Sequence, residues 1–224
     1  MFRSIDIELN TNCDLRCGYC PNKDNYRGEH YMDDNIFRKI VDELSDMNFD
    51  GRVTPSLYGE PMINSKVVEK ILYLAKKLPH AKIVVYTNGT HLTQLYYDIL
   101  EKYVHQFRVT IHSDYTIKAK GDKIYERSFN SNSTLANRTG LVDHPQTKAH
   151  HKACWGLTNQ AFVNYKGDFL ICCNDFMGQE PFGNVKENTL KELYNGSKIK
   201  KVRDEMKNNI FNLDICKRCN HVNY

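Results

Sequence analysis

Apolar and polar positions follow two rhythms along the first half of the chain. Residues 4–10 alternate one by one, as a strand with one buried face does. Residues 33–47 space their apolar side chains as an amphipathic helix does, with Asp33 or Asp34 as N-cap. Residues 52–57 then read as a strand ending in the turn Tyr58-Gly59-Glu60-Pro61, and residues 65–77 as a helix. Residues 82–86 are a β-branched strand ending at Thr87-Asn88-Gly89, followed by a helix over 93–103 and a strand over 106–111. This alternation predicts an α/β fold, a parallel sheet with right-handed crossovers. Its polar and Gly-rich turns fall at strand C-terminal ends, the edge at which such sheets and barrels bind ligands.

The pattern then changes. Residues 112–152 are polar and predict no helix. Residues 160–164 and 168–172 flank Tyr165-Lys166-Gly167 as a hairpin, and a helix is expected near 189–207. A boundary near residue 150 separates a core, residues 1–150, from an appendage, residues 151–224.

Composition narrows the function classes. With 41% apolar and 26% charged residues the chain reads as an ordinary globular protein. A net charge of +4 gives no case for nucleic acid or an anionic membrane. The basic run from Lys198 to Arg203 includes apolar positions, precedes Asp204 and Glu205, and reads as a solvated helix face. No run is long enough to span a membrane, and the N-terminus lacks the apolar core of a signal peptide, so a cytoplasmic location is expected. There, eight cysteines point to metal or cluster ligation rather than disulfides. His144, His150 and His151 are read as exposed loop residues.

Cys13, Cys17 and Cys20 have the spacing C-x3-C-x2-C in the loop after the first strand. Three thiolates on one loop can hold three corners of a [4Fe–4S] cube and leave one iron open for a chelating ligand. A zinc knuckle is the alternative, although zinc sites usually present two ligand pairs. Cys154, Cys172, Cys173, Cys216 and Cys219 form a second group, with Gly167 in the hairpin turn.

In the first group and the motifs that follow it, the chain resembles the radical S-adenosylmethionine (SAM) superfamily. Tyr19 precedes the last cysteine of the loop, Tyr58-Gly59-Glu60-Pro61 resembles the GGEP-type motif, and Thr87-Asn88-Gly89 resembles the TNG segment. The resemblance implies a partial (β/α) TIM-like barrel. It also implies a SAM site that includes Tyr19, Tyr58, Gly59, Glu60, Pro61, Thr87 and Asn88. The second group resembles a C-terminal SPASM or twitch appendage, a β-hairpin plus helix. Because the chain stops five residues after Cys219, the one-cluster twitch form is expected. Its register selects Cys154, Cys172, Cys216 and Cys219 as ligands of a second [4Fe–4S] cluster, with a four-cysteine zinc site as the alternative. Cys173 is left over, on the opposite face if residues 168–172 continue as a strand.

Within the superfamily the chain is similar to twitch dehydrogenases that act on aminocyclitols. That similarity implies a 5′-deoxyadenosyl radical that takes hydrogen from a carbinol carbon of a small polar substrate. It also implies an auxiliary cluster as electron acceptor and a flavodoxin- or ferredoxin-type donor. Arg138, Glu8 or Asp6 would assist removal of the hydroxyl proton. An acidic residue of those enzymes is Asn174 here, and Cys173 lies just before it, which leaves the substrate open. Three other readings remain. An epimerase would use Cys173 as hydrogen-atom donor, where otherwise it is a small buried hydrophobe. A peptide-modifying maturase would bring an N-terminal extension, yet the first strand starts within five residues of Met1. A zinc module would leave the Gly59-Glu60-Pro61 and Thr87-Asn88-Gly89 turns without purpose.

Overall fold

A computed structural model describes residues 1–112, 117–128, 135–144, 154 and 159–219. His150, His151 and Asn220 lie outside the described residues. The first half follows the predicted order: β1 (Ser4–Ile7), α1 (Asp34–Asp46), β2 (Arg52–Thr54), α2 (Val67–Lys77), β3 (Lys82–Thr87), α3 (Gln94–Leu100) and β4 (Gln106–Ile111). Local chemistry sets the ends. Asp33 caps α1 by accepting from the Asn35 amide at 2.8 Å, and Thr93 caps α3 through the Tyr96 amide at 3.2 Å. One face of α1, including Phe37, Ile40 and Leu44, is buried against the sheet side of the core. Ile5 and Ile7 of β1 are fully enclosed, each contributing about 1.5–3 kcal/mol of apolar burial.

β5 (Ile124–Ser128), which the polarity of residues 112–152 concealed, runs parallel to β4. Beyond it come β6 (Gln160–Val163), β7 (Asp168–Leu170), β8 (Pro181–Asn184), α4 (Leu190–Asn195), α5 (Ser197–Lys207) and α6 (Asp214–Lys217). The described strands form one eight-stranded sheet in the order β5-β4-β3-β2-β1-β6-β7-β8. The strands from β5 to β6 are parallel, and β7 and β8 return antiparallel. The appendage is therefore continuous with the core: Ser4 to Ile7 pair directly with Gln160 to Val163. Hydrogen bonds leave the sheet open at β5 and β8, so the barrel of this α/β fold is a partial one.

Two sequence expectations need correction. The helix expected near 189–207 is two helices: Thr189 and Glu192 form a capping box on α4, and Gly196 takes an extended conformation that ends it before α5. The basic run on α5 is not wholly solvated, because Ile199 and Arg203 are buried. Arg203 donates to the Tyr194 carbonyl at 2.7 Å and stacks 3.7 Å from that ring. Among the described residues no helix is long and apolar enough to cross a membrane.

Phe162, paired across from Leu170 in the central part of the sheet, is buried, whereas Tyr125 on the outer strand is 55% exposed. Phe162→Ala is expected to cost about 3–5 kcal/mol in chemical denaturation, and Tyr125→Ala no more than about 0.5 kcal/mol.

Candidate active site

The first cysteine loop is held by the ends of three parallel strands. Just past β1, the Asn10 side chain donates to the Asn12 carbonyl at 3.1 Å and to the Glu60 carbonyl at 3.0 Å. The Glu60 amide donates to the Asn12 carbonyl at 2.7 Å. Gly59 makes this contact possible, since a Cβ there would stand 2.2 Å from the Asn10 carbonyl oxygen. The Glu60 carboxylate is buried and accepts from the Thr87 hydroxyl at 2.6 Å, the Asn88 amide at 2.7 Å and the Met62 amide at 3.0 Å. Burial pushes its pKa up to about 7 despite these three donors. From the end of β3, Asn88 and Thr90 donate to the Asp14 carboxylate in the cysteine loop at 2.8 and 2.7 Å.

These strand ends line an open cleft of about 630 Å³, with Cys13, Cys17, Tyr19, Cys20, Tyr58, Gly59, Glu60, Thr87 and Asn88 on its walls. Pro61 starts the short 3-10 turn beneath it. A second cavity, about 780 Å³, shares Tyr19, Cys20, Leu57, Tyr58, Thr110, His112 and Arg127 with the first. Arg138, Leu135, Ala136 and Phe176 close its far side. The two spaces are neighbours with a common wall, one beside the cysteine loop and one beside the appendage.

Three polar residues shared by both walls were missed in the sequence. His112 follows β4, and its Nδ1 meets the Tyr19 hydroxyl; burial and the nearby Arg127 charge lower its pKa below the usual imidazole value. Arg127 donates to Thr110 at 3.0 Å. Thr110 belongs to a strand that was predicted, and its register partner on β5 is Arg127. The available signal was positional: His112 stands at the end of a fourth parallel strand, where the earlier ends carry the motifs.

Arg138 lines the second cavity and donates to the Asn174 side-chain oxygen at 2.7 Å and the Cys173 carbonyl at 3.5 Å. It begins a run of three left-handed residues with φ of 47°, 58° and 86° at Arg138, Thr139 and Gly140. Glu8 lines neither cavity. It is fully buried, forms a two-point ion pair with Arg27 and accepts from the Tyr165 amide at 3.2 Å. Asp6 also lies off both linings, 3.7 Å from Arg52. His144 is half-buried rather than exposed, close to Gly18 in the cysteine loop.

Cys154, Cys172, Cys216 and Cys219 surround a third cavity of about 300 Å³, walled by Met206, Phe211 and Ile215. Both thiol groups have the chemistry of cluster ligands. Burial pushes Cys13 and Cys216 up to about 12 and Cys17 to about 11. Such thiols ionise when a bound cation compensates the charge. Cys173 does not line that space. The strand ends at Leu170, so the expected alternation of faces fails, and Cys172 and Cys173 sit side by side at a turn closed by the Asp175 amide on the Cys172 carbonyl. The neighbouring Cys172 thiol and the Arg138 charge draw the Cys173 thiol below its usual value.

Gly59→Ala must push the second strand end away from the cysteine loop. A cost of about 1–3 kcal/mol in stability is expected, together with loss of SAM binding measured by calorimetry on cluster-loaded protein.

The architecture has close counterparts. A family model of the radical SAM superfamily matches residues 7–135, and one of the SPASM iron–sulfur cluster-binding domain matches residues 154–220. The chain is 29% identical over 237 residues to the S-adenosyl-L-methionine-dependent 2-deoxy-scyllo-inosamine dehydrogenase of Niallia circulans, covering 99% of this chain and 94% of that one. The structure of BtrN in complex with AdoMet and 2-DOIA superposes with a TM-score of 0.90 at 28% identity, covering 99% and 94% of the two chains. The fold likeness extends to SAM-bound SuiB of Streptococcus suis, with a TM-score of 0.54 at 14% identity over 91% of this chain and 68% of that one. With its motif-bearing strand ends and two thiol groups in this arrangement, the chain belongs to the radical SAM superfamily, with SAM and two iron–sulfur clusters as cofactors.

Proposed function

We propose that the chain is a radical SAM dehydrogenase that oxidises a carbinol carbon of a small polar substrate, aminocyclitol- or sugar-like, to a ketone. The observation that carries this reading is Tyr58. It lines both cavities, and its hydroxyl donates to the carbonyl of Cys172 at 3.5 Å. A substrate in the second cavity would lie between the two thiol groups. The similarity to the inosamine dehydrogenase over nearly the whole chain supports the same chemistry.

In this reading Cys13, Cys17 and Cys20 hold the cluster that binds SAM, and Cys154, Cys172, Cys216 and Cys219 hold the auxiliary one. When bound, these groups supply a hydrogen-atom acceptor for the carbinol carbon and an electron acceptor for the radical left behind. Tyr19, Tyr58, Gly59, Thr87 and Asn88 shape the SAM side. Glu60, with both oxygens engaged by Thr87, Asn88 and Met62, keeps those strand ends in register. In sum the alcohol loses one hydrogen atom, one electron and one proton. Arg138 is a guanidinium charged at any working pH, so it orients the hydroxyl rather than accepting its proton. His112 is the better acceptor: its imidazole stays neutral near pH 7, and with Nδ1–H donating to the Tyr19 hydroxyl oxygen, Nε2 carries no proton and can take one from a ligand. A flavodoxin- or ferredoxin-type donor and a cytoplasmic location complete the reading.

The second reading, an epimerase with Cys173 as hydrogen-atom donor, is favoured by that thiol's position beside Cys172 and by the Arg138 contact to the Cys173 carbonyl; the similarity to a dehydrogenase over nearly the whole chain weighs against it.

Reconstituted enzyme with SAM, reductant and a panel of aminocyclitols and sugars is expected to form 5′-deoxyadenosine only with substrate, alongside a product two hydrogens lighter by mass spectrometry. Cys173→Ala is expected to retain that ketone; a native product of unchanged mass that the variant loses while still forming 5′-deoxyadenosine would favour the epimerase and overturn the oxidative reading.

His112→Gln is expected to lower ketone formation by about 10²–10⁴-fold while SAM still binds. In the native enzyme, turnover should fall on the acid side, below the ordinary imidazole value of 6.5, as His112 takes a proton. That limb should be absent from the pH profile of the variant.

A further inference from the structure

Arg27 belongs to none of the motifs and lines neither large cavity, yet it touches the walls of both. Its side chain is 9% exposed and forms the two-point ion pair with Glu8, whose side chain is 0% exposed. The guanidinium carbon lies 4.2 Å from the Phe176 ring centroid and 4.9 Å from that of Tyr58. Those rings meet edge to face at 5.1 Å. Tyr58 bonds to the Cys172 carbonyl, and Phe176 lies in the tight turn that Cys172 opens, where the Asp175 amide donates to the Cys172 carbonyl at 3.2 Å. Glu8 in turn accepts from the Tyr165 amide in the β6–β7 turn. One buried cation thus connects the end of β1, the end of β2, the hairpin and the turn that carries an auxiliary thiol.

A spacer need not be built this way. Burying a guanidinium and a carboxylate costs several kcal/mol per ion before pairing, and apolar residues of similar volume usually fill such a space at least as well. What an apolar filler lacks is a fixed orientation. The planar guanidinium is held by two bonds to Glu8 and can stack on two rings at once, which an ammonium cannot do.

We propose that Arg27 is a positioning residue: fixed by Glu8, it clamps Tyr58 and Phe176 and so sets how the Cys172 turn stands against the substrate cavity. The electron leaving the substrate would cross this wall to reach the auxiliary cluster. The part concerning turnover rests on the dehydrogenase reading above; the part concerning cluster geometry does not.

The test uses the full chain with three changes: Arg27→Lys, the paired Glu8→Gln/Arg27→Met, which removes both charges together, and Tyr58→Phe. Each is loaded with iron and sulfide, and the auxiliary cluster is also observed alone, in a background of Cys13→Ala, Cys17→Ala and Cys20→Ala. Arg27→Lys and the paired variant are expected to shift the electron paramagnetic resonance line shape and midpoint potential of the auxiliary cluster at unchanged iron content. They are also expected to raise the 5′-deoxyadenosine formed per ketone by about 10-fold, the scale of outer-shell changes at metal sites, with a smaller change in substrate KM. Tyr58→Phe should shift the spectrum in the same direction, and it carries the test if the charge variants do not fold. An auxiliary signal and potential identical to those of the native chain in every variant that folds would overturn the proposal. A shifted spectrum without ketone from any substrate would uphold the positioning role and sink the dehydrogenase reading instead.

Discussion

The close backbone contact between Gly59-Glu60 and the segment before Cys13 is the constraint on which the site depends. The ends of β1 and β2 meet without an intervening side chain, and the Glu60 carboxylate then gathers the end of β3. Three strands that share only a sheet become one rigid edge. Burial makes the carboxylate expensive to ionise, and its three donors offset that cost. The cysteine loop needs such a frame because its own short-range bonds are few. Asp14, bound by Asn88 and Thr90, anchors the loop to β3 from the other side.

The second thiol group is organised differently. It draws on residues far apart in the chain, and only Cys216 and Cys219 share a short segment, around α6. Its walls are apolar, in contrast to the hydrogen-bonded frame of the first group. Tyr58, Phe176 and Arg27 pack against one another in the wall between the two.

How much of this was readable in the chain follows from how local each signal is. The first four strands and three helices were legible because period and capping are short-range: Asp33, one of two expected caps, starts α1. The first thiol group was legible from its short spacing, the second only through the family resemblance, since its members lie far apart in the chain. β5 was not, because an edge strand with exposed side chains loses the alternation that burial imposes. Arg127 and the aim of His112 were lost with it. Strand alternation could not place Cys173 relative to Cys172 because β7 stops at Leu170, two residues before Cys172. Glu8 is polar, follows β1 and looks catalytic in sequence; only the packing of Arg27 across its carboxylate removes it from the cavity.

The parallel pairing of β1 with β6 joins residue 4 to residue 160. A ribosome must therefore release most of the chain before the innermost strand acquires its second neighbour. Contacts of such long sequence separation slow folding, and until they form, the apolar face of β1 and the first three thiols have only one flank covered. The interval exposes these thiols to oxygen and to stray metals. The second flank of β1 therefore closes only once residues 160–163 are available to pair with it.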